Sequence, residues 1–144
     1  MNKKTKSIIA ALVVLVLLVG GIYAYQNLGG DPKDKTVEVI IKNAKGKEIF
    51  NEKVGTNAKK LSTLLKEMKK DKKIKLKYEN STYGMYITGM GSDKLISQDI
   101  EKGLYWMYTS DNNKSCVEAG YCDGADTLKI ADKDTFVFAL SNGQ

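Results

Sequence analysis

Gly103-Leu104-Tyr105-Trp106-Met107-Tyr108 and Asp134-Thr135-Phe136-Val137-Phe138-Ala139-Leu140 bracket the stretch that decides the fold. Both runs are rich in aromatic and β-branched residues and have the length of a strand. Between them lies a polar loop, from Ser110 to about Ala125, carrying both cysteines, Cys116 and Cys122. The pattern predicts two buried strands joined by a stapled excursion. In the second strand Phe136, Phe138 and Leu140 alternate onto one face. In the first, Tyr105, Trp106, Met107 and Tyr108 are consecutive, so they split two and two. One pair enters the core. The other is either exposed beside the loop, as an apolar binding platform, or covered by another element.

Upstream, Thr36 to Asn43 alternates, with Val37, Val39 and Ile41 on one face. Asn43-Ala44-Lys45-Gly46 reads as a turn and Lys47 to Val54 as a second strand around Phe50, which makes a hairpin. Thr56 or Asn57 is then placed to cap a helix. Leu61, Leu64, Leu65 and Met68 recur at helical spacing, opposite Lys59, Lys60, Lys66, Glu67, Lys69 and Lys70. The stripe predicts a helix packed over a sheet, ending near Asp71. The other reading of its basic face is a helix lying on a membrane. Ile74, Leu76 and Tyr78 alternate with lysines as a third strand, and Tyr83 to Met90 reads as a fourth. Lys94 to Glu101 reads as loop. Lys129 and Ile130 read as a short strand, and Ala131-Asp132-Lys133-Asp134 as a tight turn before the last one.

All 23 basic residues of the 144-residue chain are lysine, and the net charge is +6. Arginine's bidentate fork is the favoured tool for phosphate and base recognition, so neither a dedicated phosphate site nor nucleic acid is expected; the lysine-rich surface reads as solubility, the alternative being weak attraction to an acidic envelope or membrane surface. Lys3, Lys4 and Lys6 precede an uncharged run whose apolar centre is Ile8 to Ala24. A spanning helix needs roughly 20 apolar residues and a signal-peptide core about 7–15. The run predicts a signal anchor over residues 1–27, the alternative being a cleaved signal peptide. The preceding lysines place the N-terminus in the cytoplasm, and Tyr23 and Tyr25 suit the interfacial belt. Residues 28–35, with the only proline, Pro32, form a linker. A single domain of about a hundred residues, 36–142, is then expected outside the cell membrane, single-pass anchored. In that compartment the cysteine pair reads as one disulfide, Cys116–Cys122, the alternative being two buried free thiols.

No catalytic constellation is present. The chain has no histidine, so neither a Ser-His nor a Cys-His nucleophile can form. Asp111, Asn113 and Ser115 have the spacing that opens a calcium loop, but Cys116 and Cys122 stand where Gly and Glu are required. The expectation is a binding protein without a cofactor of its own. Candidate binding residues are Tyr105, Trp106, Tyr108, Asp111, Asn112 and Tyr121.

The element order predicts an α+β fold, a β-grasp-like mixed sheet with one packed helix. Three segments resemble a known family. Tyr83-Gly84-Met85-Tyr86-Ile87-Thr88-Gly89-Met90 is similar to its glycine-led strand. Tyr105-Trp106-Met107-Tyr108 is similar to its tryptophan strand. Gly124-Ala125-Asp126-Thr127-Leu128, followed by Ala131-Asp132-Lys133-Asp134-Thr135-Phe136, is similar to its closing pattern. The family is the transcobalamin-like C-terminal domain of exported bacterial proteins, related to the small domain of transcobalamin and intrinsic factor. Two departures stand out: Ser110-Asp111-Asn112 replaces a Val-Asn-Gly turn, and Lys133 replaces a glycine. The resemblance implies a corrinoid as ligand and at most half of a cobalamin site, completed by an envelope transporter or redirected to another small molecule. The rival expectation is a structural or adhesive envelope module that contacts another protein.

Overall fold

The computed structural model describes residues 33–143. The expected anchor over residues 1–27 and most of the linker 28–35 lie outside them. The described residues form an α+β arrangement of two sheets and two helices. Among them no helix is long and apolar enough to cross a membrane.

The first hairpin pairs β1 (Lys35–Lys42) with β2 (Glu48–Thr56) antiparallel. Alternation in β1 sends Val37, Val39 and Ile41 to complete burial. The turn is shaped by Asn43, whose side-chain oxygen accepts from the backbone N–H groups of Lys45 and Lys47. Gly46 closes it at φ +80°, a conformation that costs glycine little.

Helix α1 spans Leu61–Lys70 and buries Leu61, Leu64, Leu65 and Met68. The expected cap is corrected. The N-cap position is Lys60, which makes no side-chain cap bond. Thr56 ends β2 instead; its hydroxyl accepts from Ala58 N–H and donates to Glu67. Asn57 accepts from Asp34 N–H. The first helical N–H groups donate to distant carbonyls, Leu61 to Leu128 and Ser62 to Ala125. Tertiary acceptors thus satisfy groups that a local cap would otherwise have to cover. The helix ends at Asp71 with Lys72 left-handed at φ +59°. Lys73 N–H returns to Met68 C=O and Lys72 N–H to Lys69 C=O, which is a Schellman closure.

Next come β3 (Lys75–Ser81), β4 (Gly84–Gly91) and a two-residue β5 (Ile96–Ser97), in that order in an antiparallel sheet. The sequence shows β5 only as loop, because two residues carry no period. The remaining strands are β6 (Tyr105–Thr109) and β7 (Thr135–Ser141). They join the first hairpin in the order β2-β1-β7-β6. There β7 runs parallel to β1 and antiparallel to β6. The loop between β6 and β7 holds a second helix, α2 (Lys114–Ala119), where the sequence alone predicts loop. The short strand expected at Lys129–Ile130 is reduced to one isolated bridge, between Lys60 and Lys129. The turn at 131–134 forms as expected, with Lys133 at φ +70°.

One core collects the inward residues of both sheets and α1. Phe136 and Phe138 are fully buried at its centre. Each such side chain contributes roughly 1.5–3 kcal/mol over an exposed one. Trp106 rivets the two sheets together: it sits in β6, and its indole N–H donates to Ile96 C=O in β5 at 2.8 Å.

Candidate functional site

The aromatic strand resolves the two-and-two split. Trp106 lies opposite Leu140 and Tyr108 opposite Phe138. Both therefore share the inward face of β7. Trp106 is 7% exposed. Tyr108 is half-buried, its ring 5.6 Å from that of Phe138, and its hydroxyl donates to Asp123 C=O at 2.7 Å. Burial pushes its phenol up to about 12; the carboxylates of Asp123 and Asp126 add to the shift, and the Ala125 backbone offsets part of it. Tyr105 and Met107 take the opposite face, Tyr105 partly covered and Met107 exposed.

The loop that follows is fixed at several points. Asn112 is a clamp: its amide donates to Lys133 C=O and its oxygen accepts from Thr135 N–H. Asn113 is buried and caps α2 by accepting from Cys116 N–H at 3.1 Å. Its amide donates to Lys129 C=O and to the buried carboxylate of Asp134. It is thereby committed internally and unavailable to a cation. Gly120 ends α2 in the left-handed conformation. Cys116 and Cys122 form the disulfide, with Cα atoms 4.4 Å apart. Asp111 is exposed on the same loop.

Downstream, Asp126 accepts from Met85 N–H at 2.9 Å. This bond docks the 124–126 segment against the tip of the β3–β4 hairpin. Gly84 is required there twice over. Its φ is +100°, and a Cβ would lie 2.6 Å from the Asp126 carboxylate. A Cβ at Gly124 would likewise meet Tyr83 C=O at 3.3 Å.

Two pinned loops each carry exposed apolar side chains. Tyr83 stands on the hairpin tip at 92% exposure, and Tyr121 and Val117 on the disulfide loop at 67% and 57%. A recess of about 350 Å³ opens beside Tyr121, lined by Thr109, Ser110, Asp111, Val117, Gly120 and the disulfide. Larger recesses, of about 440 and 530 Å³, lie by the 131–134 turn and behind α2. Neither is lined by an aromatic side chain.

Of the six residues that the sequence offered, Tyr121 and Asp111 line this recess. Tyr105 is partly covered on the outer face of β6. Trp106, Tyr108 and Asn112 are engaged in holding the fold. Tyr83, on the hairpin tip, is not among the six and does not line the recess; its exposure is legible as a bulky aromatic directly before a glycine in a polar turn. Chemically these loops offer flat apolar faces, one carboxylate and backbone groups. Among the described residues no group of three potential metal ligands is assembled.

No family model matches the sequence, and no curated protein does. Among solved structures the chain is similar to a protein from Ruminococcus gnavus to which metal binding has been ascribed. That match has a TM-score of 0.57 and 22% identity, and covers 76% of this chain and 99% of the other. Haptocorrin in complex with Cbi is matched at a TM-score of 0.47 and 18% identity, over 74% of this chain and 25% of haptocorrin. This chain therefore spans about a quarter of haptocorrin's length. At such identity the first match shows a likeness of fold and nothing closer.

Proposed function

We propose that residues 36–142 are a transcobalamin-like β-grasp domain, held outside the cell membrane by the N-terminal segment, that binds a small flat ligand without catalysis. The strand order supports the fold assignment: a hairpin, a helix, and a last strand running parallel to the first at the centre of the sheet. The observation that carries the binding assignment is the pair Tyr83 and Tyr121. Both are more than half exposed, on loops fixed by the Asp126 bond and the disulfide. Large aromatics on pinned loops offer apolar area to a ligand at a small further cost in backbone ordering, which favours binding. A corrinoid is the ligand that the sequence resemblance names. Its broad ring suits two tyrosine faces, and its peripheral amides suit Asp111 and the loop backbone.

The test is calorimetric titration of the full-length, disulfide-bonded chain with cobinamide and cobalamin. Saturable binding is expected, weakened at least about tenfold by Tyr83→Ala or Tyr121→Ala, the scale of a lost aromatic anchor. Trp106→Phe should leave affinity nearly unchanged. Absence of heat at high micromolar ligand would remove corrinoid capture by this chain alone. Anchoring is checked separately, by asking whether the protein stays with membranes through alkaline extraction and whether external protease reaches residues 36–142.

A further inference from the structure

Residues 59–77 hold nine lysines against two carboxylates, Glu67 and Asp71, a local charge of +7. Residues 78–144 hold five lysines against ten carboxylates, a charge of −5. Helix α1 and β3 are consecutive and in contact, which brings lysines of the helix against a side chain of the strand. Lys66 and Lys69 bring their ammonium groups over one ring, that of Tyr78, at 5.6 and 5.4 Å. Lys70 and Lys73 are exposed at the same end of the helix, whereas Lys77 lines a recess with Glu79, Asp99 and Glu101. None of these lysines is in an ion pair; the pair formed among the described residues is Lys35–Asp34. Glu67, the carboxylate on α1 itself, is held by the Thr56 hydroxyl.

Converging unpaired ammonium groups repel one another and hold a layer of counterions. A ligand with regularly spaced anions would release that layer, which is the dominant driving force of polyanion binding. The helix cannot serve as a membrane-inserting wedge, since its apolar stripe is fully used by the core. Lysine supplies point charges without arginine's planar fork, so it fits a flexible chain of phosphates better than one shaped anion.

We propose that the lysines at the C-terminal end of α1, Lys66, Lys69, Lys70 and Lys73, form a docking surface for a linear inorganic polyphosphate chain. It is separate from the aromatic loops and shares no residue with them.

The probe is end-labelled long-chain inorganic polyphosphate, read by fluorescence anisotropy on the full-length chain between 50 and 200 mM salt. Binding is expected at low salt with a steep salt dependence. The variant K66Q/K69Q/K70Q/K73Q should weaken it at least about tenfold and flatten the slope of log K against log salt by about 2–3. A control of equal net charge, K94Q/K102Q/K114Q/K129Q, should stay within about twofold of the parent. All eight side chains are exposed, so neither variant disturbs the core. Equal weakening by the two variants would overturn the proposal in favour of bulk charge. So would no binding at 50 mM salt, or a patch variant that loses affinity for phosphatidylglycerol vesicles while polyphosphate binding is unchanged.

Discussion

Lys133 holds a left-handed backbone at φ +70° because its neighbours leave it no alternative. Its N–H donates to Thr36 C=O at 2.7 Å and its C=O accepts from Asn112. A side chain in that region costs roughly 1–2 kcal/mol, and glycine avoids the clash at some cost in unfolded-state entropy. Lys133→Gly is therefore expected to stabilise the domain by about 0.5–1 kcal/mol, read as a higher urea midpoint at constant slope. The position was legible in the sequence as a departure from a glycine, although its conformation was not. Tyr108 makes a pH-dependent case. Its phenol titrates near 10 in the unfolded chain and about 12 in the fold, chiefly because of burial. Below pH 10 both states keep the proton and the contribution is complete. Between pH 10 and 12 the unfolded state ionises first, so stability falls. Tyr108→Phe should cost about 1 kcal/mol at neutral pH through the lost Asp123 bond. That deficit should shrink as pH rises from 10 to 12. A gap between the two proteins that stays constant over this range would show that Tyr108 is not shielded. Trp106 was harder to read. Which half of four consecutive aromatic and sulfur side chains points inward depends on register with β7, and register is a tertiary fact.

At the scale of the element, α2 and its disulfide form one unit organised by Asn113. That side chain joins Cys116 at the helix start, Lys129 in the following segment and the Asp134 carboxylate in the turn before β7. Removing it leaves a buried carboxylate short of a donor and a helix of six residues without its cap. Asn113→Ala should cost about 2–4 kcal/mol, a cap of about 1 plus the penalty of the abandoned polar groups. Removing the staple with Cys116→Ala and Cys122→Ala together should cost less, about 2 kcal/mol, because the loop it closes is short. If thermal unfolding ranks the two variants in the reverse order, the loop is held by the disulfide and not by Asn113. Both ends of α2 are visible in the sequence as Asn113 and Gly120, the residues favoured at N- and C-caps. They carry little weight alone, because a run of six residues is too short to show an apolar period. At α1 the apolar stripe marks the helix, while the expected local cap gives way to the carbonyls of Leu128 and Ala125, more than sixty residues along the chain, which no local pattern can supply.

In the whole molecule, the first and last strands lie side by side at the centre of the larger sheet. β1 is flanked by β2 and β7, and β7 by β1 and β6. Local alternation marked both as strands with one buried face, so their composition was legible. Their parallel contact was not, since about a hundred residues separate them and nothing in either marks its partner. This arrangement ties together the stability of the first and last strands among the described residues. Val37, Val39, Ile41, Phe136 and Phe138 are all completely buried in one cluster. Exposing any of their amides requires opening the centre of the sheet, which is global unfolding. The two-residue β5 and the turn at 99–103 depend on few bonds and can open alone. Hydrogen exchange should therefore be slowest in β1 and β7, with equal free energies, and fastest in β5 and the 99–103 turn. Phe136→Ala should destabilise the domain by about 3–5 kcal/mol through the cavity it leaves. Protection in β1 and β7 should then fall by the same amount, while β5 changes little. A loss confined to β7 would mean that the hairpin is stable without its parallel partner, and that the larger sheet is two units in contact instead of one.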